Sequence, residues 1–213
     1  MADAANTVAM RGAGAALALA LSVALAGCVS LGAEVPESLL TLSPETTAPT
    51  GAGARATTMG EEEMSDAIAV LTPEVPAKLD VLRVPVNVSP TQIAYLAETF
   101  WVEKPARLFR SLLGEALRAR SGEEGPFVLD SDDTPLRART FLRGTLSEMS
   151  YDPEAREAIV RFDAIRSDGQ GNAVTRRFEA REAAAEADPA EVGPALNRAA
   201  NRVANDVAAW MME

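Results

Sequence analysis

The sequence predicts an α+β fold: an antiparallel or mixed sheet with two amphipathic helices packed on one of its faces. Three observations lead there. Ala158, Val160, Phe162 and Ala164 alternate with polar residues over Glu157–Arg166, the period-two signature of a half-buried strand. Leu108, Phe109, Leu112, Leu113, Ala116 and Leu117 recur at helical spacing between Lys104 and Arg120. Val192, Leu196, Ala199, Val203, Val207 and Trp210 do the same near the end of the chain. A helix with one apolar stripe must bury it against another layer, and alternating strands supply that layer.

Taken in order, Ser38–Ser43 is a short β-prone run. Pro44–Glu63 is rich in Thr, Pro, Gly and Glu and reads as a linker, so residues 44–64 are expected to be a flexible insert. Gly51-Ala-Gly53 within it lacks the preceding strand and following helix that a dinucleotide fingerprint requires. Ala67–Leu71 and Val81–Val86 are strand candidates, with Pro85 pointing to an edge or a strand end. Ser89–Gln92 is a turn, and Ile93–Leu96 a short apolar piece. The helix from Lys104 has Pro105 in its first turn and Ser121-Gly122 at its end. A meander follows: Phe127–Leu129, Thr140–Met149, Glu157–Arg166 and a returning strand in which Val174, Arg176, Phe178 and Ala180 share a face. Asp152-Pro153-Glu154 and Asp168–Asn172 supply the hairpin loops. Arg176 breaks the apolar pattern, as expected near a strand end. Asp188-Pro189-Ala-Glu191 is an N-cap signal for the last helix, whose regular start Gly193-Pro194 is expected to delay. Its other side carries Asn197, Arg198, Asn201, Arg202, Asn205 and Asp206. The sheet face away from the helices is left for water or a partner.

The single cysteine closes an apolar run, Leu17-Ala-Leu-Ala-Leu-Ser-Val-Ala-Leu-Ala-Gly27-Cys28. Arg11 supplies a positive charge before it, and Ala13–Ala26 is the length of a signal-peptide apolar region, too short for a convincing span. A start at Met10 would give the more usual Met-Arg opening. Leu25-Ala-Gly-Cys28 matches the bacterial lipobox, so residues 1–27 are expected to be removed by cleavage between Gly27 and Cys28. Residues 28–37 then form an acylated N-terminus and tether. Diacylglycerol on the sulfur and an acyl chain on the new amino group would hold the chain on a bilayer, since two chains give stable anchoring. Val29 follows; an aspartate there favours inner-membrane retention in many Gram-negative bacteria, so the reading leans to the outer membrane, facing the periplasm.

Chemistry is hard to build from the remaining residues. There is no histidine, and net charge is −11, which disfavours nucleic acid. With the thiol acylated, Ser-His-Asp and Cys-His arrangements are ruled out. Beyond the cysteine, Lys78 and Lys104 are the only lysines, both in polar, proline-containing contexts. The acid pairs Glu61–Glu63, Glu123-Glu124 and Asp132-Asp133 lie in loop-like stretches, and Asp130-Ser-Asp132-Asp133 lacks the later glutamate of a calcium loop. No enzyme, metal or cofactor is expected, other than the covalent diacylglycerol and acyl chains on Cys28.

Ala67–Pro76, Arg83–Val86, Ile93–Leu96, Trp101–Phe109, Arg176–Ala180 and Ala195–Val203 with Trp210 together resemble the ABC-type transport auxiliary lipoprotein family, to which the paraquat-inducible lipoprotein belongs. The likeness runs from the lipobox to the last helix, nearly the whole of the expected mature chain, with residues 38–213 as the auxiliary domain. It implies a non-enzymatic partner of an ABC transporter that carries a mammalian-cell-entry substrate-binding subunit and moves phospholipid or other apolar molecules across the envelope. A tethering or docking role fits both this and the lipobox, and a homo-oligomer is compatible with it. Tyr95, Trp101 and Phe109 are the aromatic candidates for partner contact, with core packing as the competing role. Arg107, Arg176 and Arg177 are the cationic candidates. A lipid carrier with its own cavity and a structural outer-membrane assembly lipoprotein are the alternatives.

Overall fold

The computed structural model describes residues 38–50, 67–122, 125–130, 138–168 and 170–213. The signal region, Cys28 and most of the expected insert lie outside the described residues.

Among the described residues, seven strands form one mixed sheet: β1 (Ile68–Val70), β2 (Arg83–Ser89), β3 (Gln92–Phe100), β4 (Val128–Leu129), β5 (Thr140–Asp152), β6 (Glu157–Asp168) and β7 (Ala173–Ala183). Two helices, α1 (Pro105–Ser121) and α2 (Pro189–Met211), cover one face. The α+β expectation, with both helices on the sheet, is the observed architecture. Strand β5 is the axis. Along one side it pairs antiparallel with β6 from Thr140↔Asp168 to Asp152↔Glu157, and β6 pairs in turn with β7. Its other side is shared: β1 lies parallel to its first half (Ile68↔Thr140 to Val70↔Leu142), and β2 meets its second half at Val86↔Tyr151. A register shift between Leu146 and Glu148 separates the halves.

The helices form where the apolar spacing places them. Leu108, Phe109, Leu112, Leu113, Ala116 and Leu117 of α1 are buried, as are Val192, Leu196, Ala199, Val203, Val207 and Trp210 of α2. They meet the inward positions of the meander: Leu142 and Leu146 on β5, Ala158, Val160, Phe162 and Ala164 on β6, Phe178 and Ala180 on β7. Phe109 packs edge-on against Phe162, with centroids 5.3 Å apart. Pro105 opens α1, and Gly122, at φ +64°, ends it.

Several local expectations shift. Helix α2 runs through Pro194 without delay. Asp188 caps it by accepting from the Ala190 N–H at 2.7 Å, and the hydrogen bond that Pro194 cannot donate would have gone to Ala190, which is exposed. Gly193 leaves room for Leu40, whose Cδ2 sits 2.8 Å from where a Cβ would stand. Pro85 lies in an internal strand, between β3 and β5. Its missing N–H falls at the register shift between Arg83 and Pro85, which explains why an internal strand accepts it. Ile93–Leu96 belongs to the nine-residue β3. Arg176 is on the inward side of β7, opposite Ala164, with its guanidinium 5.2 Å from the Phe178 ring and 3.8 Å from the Glu213 carboxylate.

Residues 38–50 form a strap. Leu40 makes a parallel bridge with Trp101, its N–H donating to Phe100 O and its carbonyl accepting from Val102 N–H, both at 2.8 Å. Asn201 Oδ1 then accepts from Glu45 N–H (2.8 Å), Asn201 Nδ2 donates to Ser43 O (2.9 Å), and Asn197 Oδ1 accepts from Ser43 N–H (2.8 Å). Glu115 of α1 accepts from Ala48 N–H at 2.7 Å. The first part of the segment expected to be a flexible linker is thus hydrogen-bonded to both helices.

Two substitutions test this packing. At Gly144 an added Cβ would stand 2.1 Å from Asp163 O, on the neighbouring backbone of β6. Gly144→Ala is expected to lower unfolding free energy by about 2 kcal/mol in denaturant titration. Asn201, only 3% exposed, has its amide filled by the strap and α2. Asn201→Ala is expected to cost about 1–3 kcal/mol and to speed exchange of the Ser43–Ala48 amides more than that of β6.

Candidate docking surface

The sheet face turned away from the helices is built by the second set of alternating positions, and it divides into two unlike halves. On β5, β6 and β7 it is charged. Asp163 receives two hydrogen bonds from Arg177 opposite it, Nε–Oδ1 at 2.5 Å and Nη2–Oδ2 at 3.2 Å. Glu179 accepts from Arg161 Nε at 2.5 Å and from Arg181 Nε at 2.8 Å, and Arg181 lies 3.4 Å from Glu157. Cross-strand pairs of opposite charge sit directly opposite one another, the arrangement a sheet favours. The Arg177 hydrogen bond holds the Asp163 carboxyl below the usual aspartate range. Burial pushes Glu179 up, but Arg181 and Arg161 outweigh it and keep that carboxyl low as well. A groove of about 470 Å³ lies here, lined by Thr145, Asp163, Ile165, Thr175 and Arg177 among others.

Over β2, β3 and the strap, the same face carries its apolar groups on β3 and the strap, with Arg83, Asn87 and Ser89 beside them on β2. Trp101 and Leu40 point to the core side, so alternation turns Phe100, Val102 and Leu39 outward. Ile93 lies opposite Asn87, and Tyr95 opposite Pro85. Leu39, Ile93 and Val102 are each about half exposed, at 51%, 49% and 53%. Arg83 stacks over Tyr95, 5.0 Å from its ring centroid, and fixes the ring against the sheet. The two halves join at Glu148, whose carboxylate accepts from Lys78 Nζ (2.7 Å) and Ser150 Oγ (2.5 Å), while Asn87 Nδ2 donates to Ser150 Oγ (2.9 Å).

The candidates from the sequence separate on this geometry. Phe109 is fully buried and Trp101 is 1% exposed, so both serve the core. Tyr95 is half-buried on the apolar half, and Arg177 is exposed on the charged half. Arg107 is exposed on α1, and the Arg176 side chain, on the inward side of β7, reaches toward Glu213 after α2, so neither side chain is on the outer face. Sequence reasoning missed Asn197 and Asn201, which looked like solvated helix surface, and Arg110, whose Nε donates to Val70 O at 2.9 Å from a buried position. It also missed Arg166, which stacks 4.9 Å from the Trp210 ring and donates to Trp210 O at 2.7 Å. Lys78 and Lys104 are ion-paired with Glu148 and Asp80, and Asp130 is bonded to Arg118. Asp132, Asp133 and the other acid pairs lie outside the described residues, Gly60–Glu63 included. Among the described residues no helix is long and apolar enough to cross a membrane.

This arrangement defines an α+β domain with one sheet face covered by two helices and the other open. Residues 46–208 match the family model for the ABC-type transport auxiliary lipoprotein component, and the chain belongs to that family. The fold is similar to that of protein XCC0632 from Xanthomonas campestris, with a TM-score of 0.65 at 14% identity, over 82% of this chain and 95% of that one. An uncharacterized protein of known structure is also similar, with a TM-score of 0.59 at 16% identity, over 70% of this chain and 94% of that one. At such identities the likeness concerns the fold. No curated protein matches the chain.

The Asp163–Arg177 pair carries a pH signature. A carboxyl held low in the folded state stabilises the fold above its unfolded value, and that contribution disappears as pH falls through the folded value. Asp163→Asn is therefore expected to show a small loss of stability at pH 7, small because the pair is exposed. The gap between variant and parent should close as pH is lowered below about 4, read from denaturation midpoints across pH.

Proposed function

We propose that this lipoprotein is the tethering and docking component of its ABC-type transport system. Residues 1–27 are removed, Cys28 is acylated, and the domain is held in the periplasm on the inner leaflet of the outer membrane. There it meets a transporter carrying a mammalian-cell-entry substrate-binding subunit, which handles phospholipid or other apolar cargo. The family membership supports the transport assignment.

The observation that carries the tethering role is the strap. The chain that leads from the expected anchor reaches Ser38, and within seven residues it is bonded to β3's end and to α2 through Leu40, Ser43 and Glu45. A load at the anchor therefore passes into the packed helix layer rather than into a loose linker. The docking role over a carrier role is supported by the helices. Both apolar stripes are buried against the sheet, with Phe109, Leu113, Leu117, Leu196 and Val203 at 0% exposure, so they have no face left with which to hold an acyl chain.

Cys28→Ala tests the reading. Cys28 precedes the described domain in sequence, so the variant is expected to keep the parent's thermal midpoint while moving from the membrane to the soluble periplasmic fraction. It should also lose crosslinks to transporter subunits. Full retention on membranes would contradict the proposal.

A further inference from the structure

The apolar half of the outer face sits beside the point where the anchor-bearing chain enters the domain. Leu39 is the second described residue, and Val102 lies diagonally across from it on the neighbouring chain segment, through the Leu40↔Trp101 bridge. Phe100 and Tyr95 continue the stripe along β3 toward Ile93. Leu39, Ile93 and Val102 are three of the most exposed large apolar side chains among the described residues. Leu39 and Val102 stand together at the strap end of β3, while Ile93 lies nine residues away near the β2–β3 turn, roughly 30 Å along the strand, so the exposed apolar groups form a stripe along β3 of the kind that marks an interaction surface.

We infer that this patch rests on the lipid bilayer that holds the acylated N-terminus, so that the domain lies on the membrane with β3 and the strap downward and the charged β5–β7 half turned away. The inference rests on the anchoring of Cys28 proposed above. Eleven peptide units separate Cys28 from Leu39, which limits their separation to about 40 Å even when the chain is fully extended. A tether of that length keeps the patch at an effective concentration in the millimolar range at the membrane, so a few half-exposed aliphatic groups suffice where a free domain would not bind. The composition of the rim agrees. These segments carry Arg83 and Lys104, the latter paired with Asp80, against Glu98 and Glu103, two basic and three acidic residues, and with the overall charge of −11 this favours zwitterionic over anionic headgroups. The patch fits a bilayer better than a protein groove because its exposed members are aliphatic and spread along an edge strand rather than gathered around one central anchor.

The sole cysteine makes the test direct. The chain from Cys28 onward is coupled through its sulfur to maleimide-headgroup lipid in phosphatidylcholine vesicles, with or without brominated acyl chains. Tryptophan is placed at Leu39→Trp, Val102→Trp or, as a control, Val174→Trp, another exposed valine at the hairpin end of β7. Bromine quenching is expected to remove most of the added emission at positions 39 and 102 and to leave position 174 unchanged. Equal quenching at all three, or none at 39 and 102, would overturn the inference. So would a blue shift at 39 or 102 in chain capped with a water-soluble maleimide, which would mean that a second copy covers the patch. Because the coupling is chemical, none of these outcomes bears on whether the sulfur is acylated in the cell; the release of Cys28→Ala decides that separately.

Discussion

Strand β5 pairs with β1, β2 and β6, through which the remaining strands join the sheet, and its register shift with β6 is where its other side changes partners. Before the shift, Thr140–Leu142 holds β1, and Glu74 continues that line by donating its N–H to Gly144 O at 2.9 Å and accepting from Leu146 N–H. After it, Tyr151 meets Val86 of β2. An extra residue in one strand lets the inward positions stay inward on both sides: Leu142 and Leu146 before, Met149 and Tyr151 after, all buried. The gap that this opens on the outer face is closed by Glu148, bonded to Lys78 and Ser150. With Lys78 and Glu148 mostly covered, that pair has a firmer role than the exposed ladder on β6 and β7.

The consequences for function follow from which face is closed. The helix side is filled, and the strap crosses it, so it offers little to a ligand. The outer side is open, and its two halves solve different problems. A long edge strand such as β7 invites pairing with other chains, and the alternating Arg and Glu residues along it oppose indiscriminate addition. The β2–β3 half carries aliphatic and aromatic groups, with Leu39 and Val102 beside the strap. On the proposed anchoring and docking, the two halves would serve different needs: one side would rest on the membrane and the hydrated side would meet partners selectively. Individual surface ion pairs add little stability, so the dense charge on β5–β7 is better understood as control over contact than as support for the fold.

Much of this was legible in the order of residues. Both helices, their buried stripes and the β5–β6–β7 meander follow from spacing that each segment carries within itself. The parallel pairing of β1 and β2 with β5 does not, because partners some 65–75 positions apart leave no local period to read. The strap was missed for a different reason. Asn197 and Asn201 occupy the polar side of an amphipathic helix, and nothing local distinguishes an asparagine that faces water from one whose amide is filled by a distant backbone. Arg110 and Arg166 were hidden likewise, since a long aliphatic stem lets a guanidinium reach a carbonyl from a packed position. The aromatics show the converse. Trp101 and Phe109 have the composition of contact residues, yet the core claims them.

The account turns on what is attached to the one sulfur. Intact-mass and N-terminal peptide analysis of the protein recovered from its native host is the most direct measurement. It should find the mature chain beginning at Cys28, carrying diacylglycerol on the thiol and an acyl chain on the amino group. A chain whose Cys28 bears a free thiol, with residues before it still attached, would contradict the anchored-component account at its root.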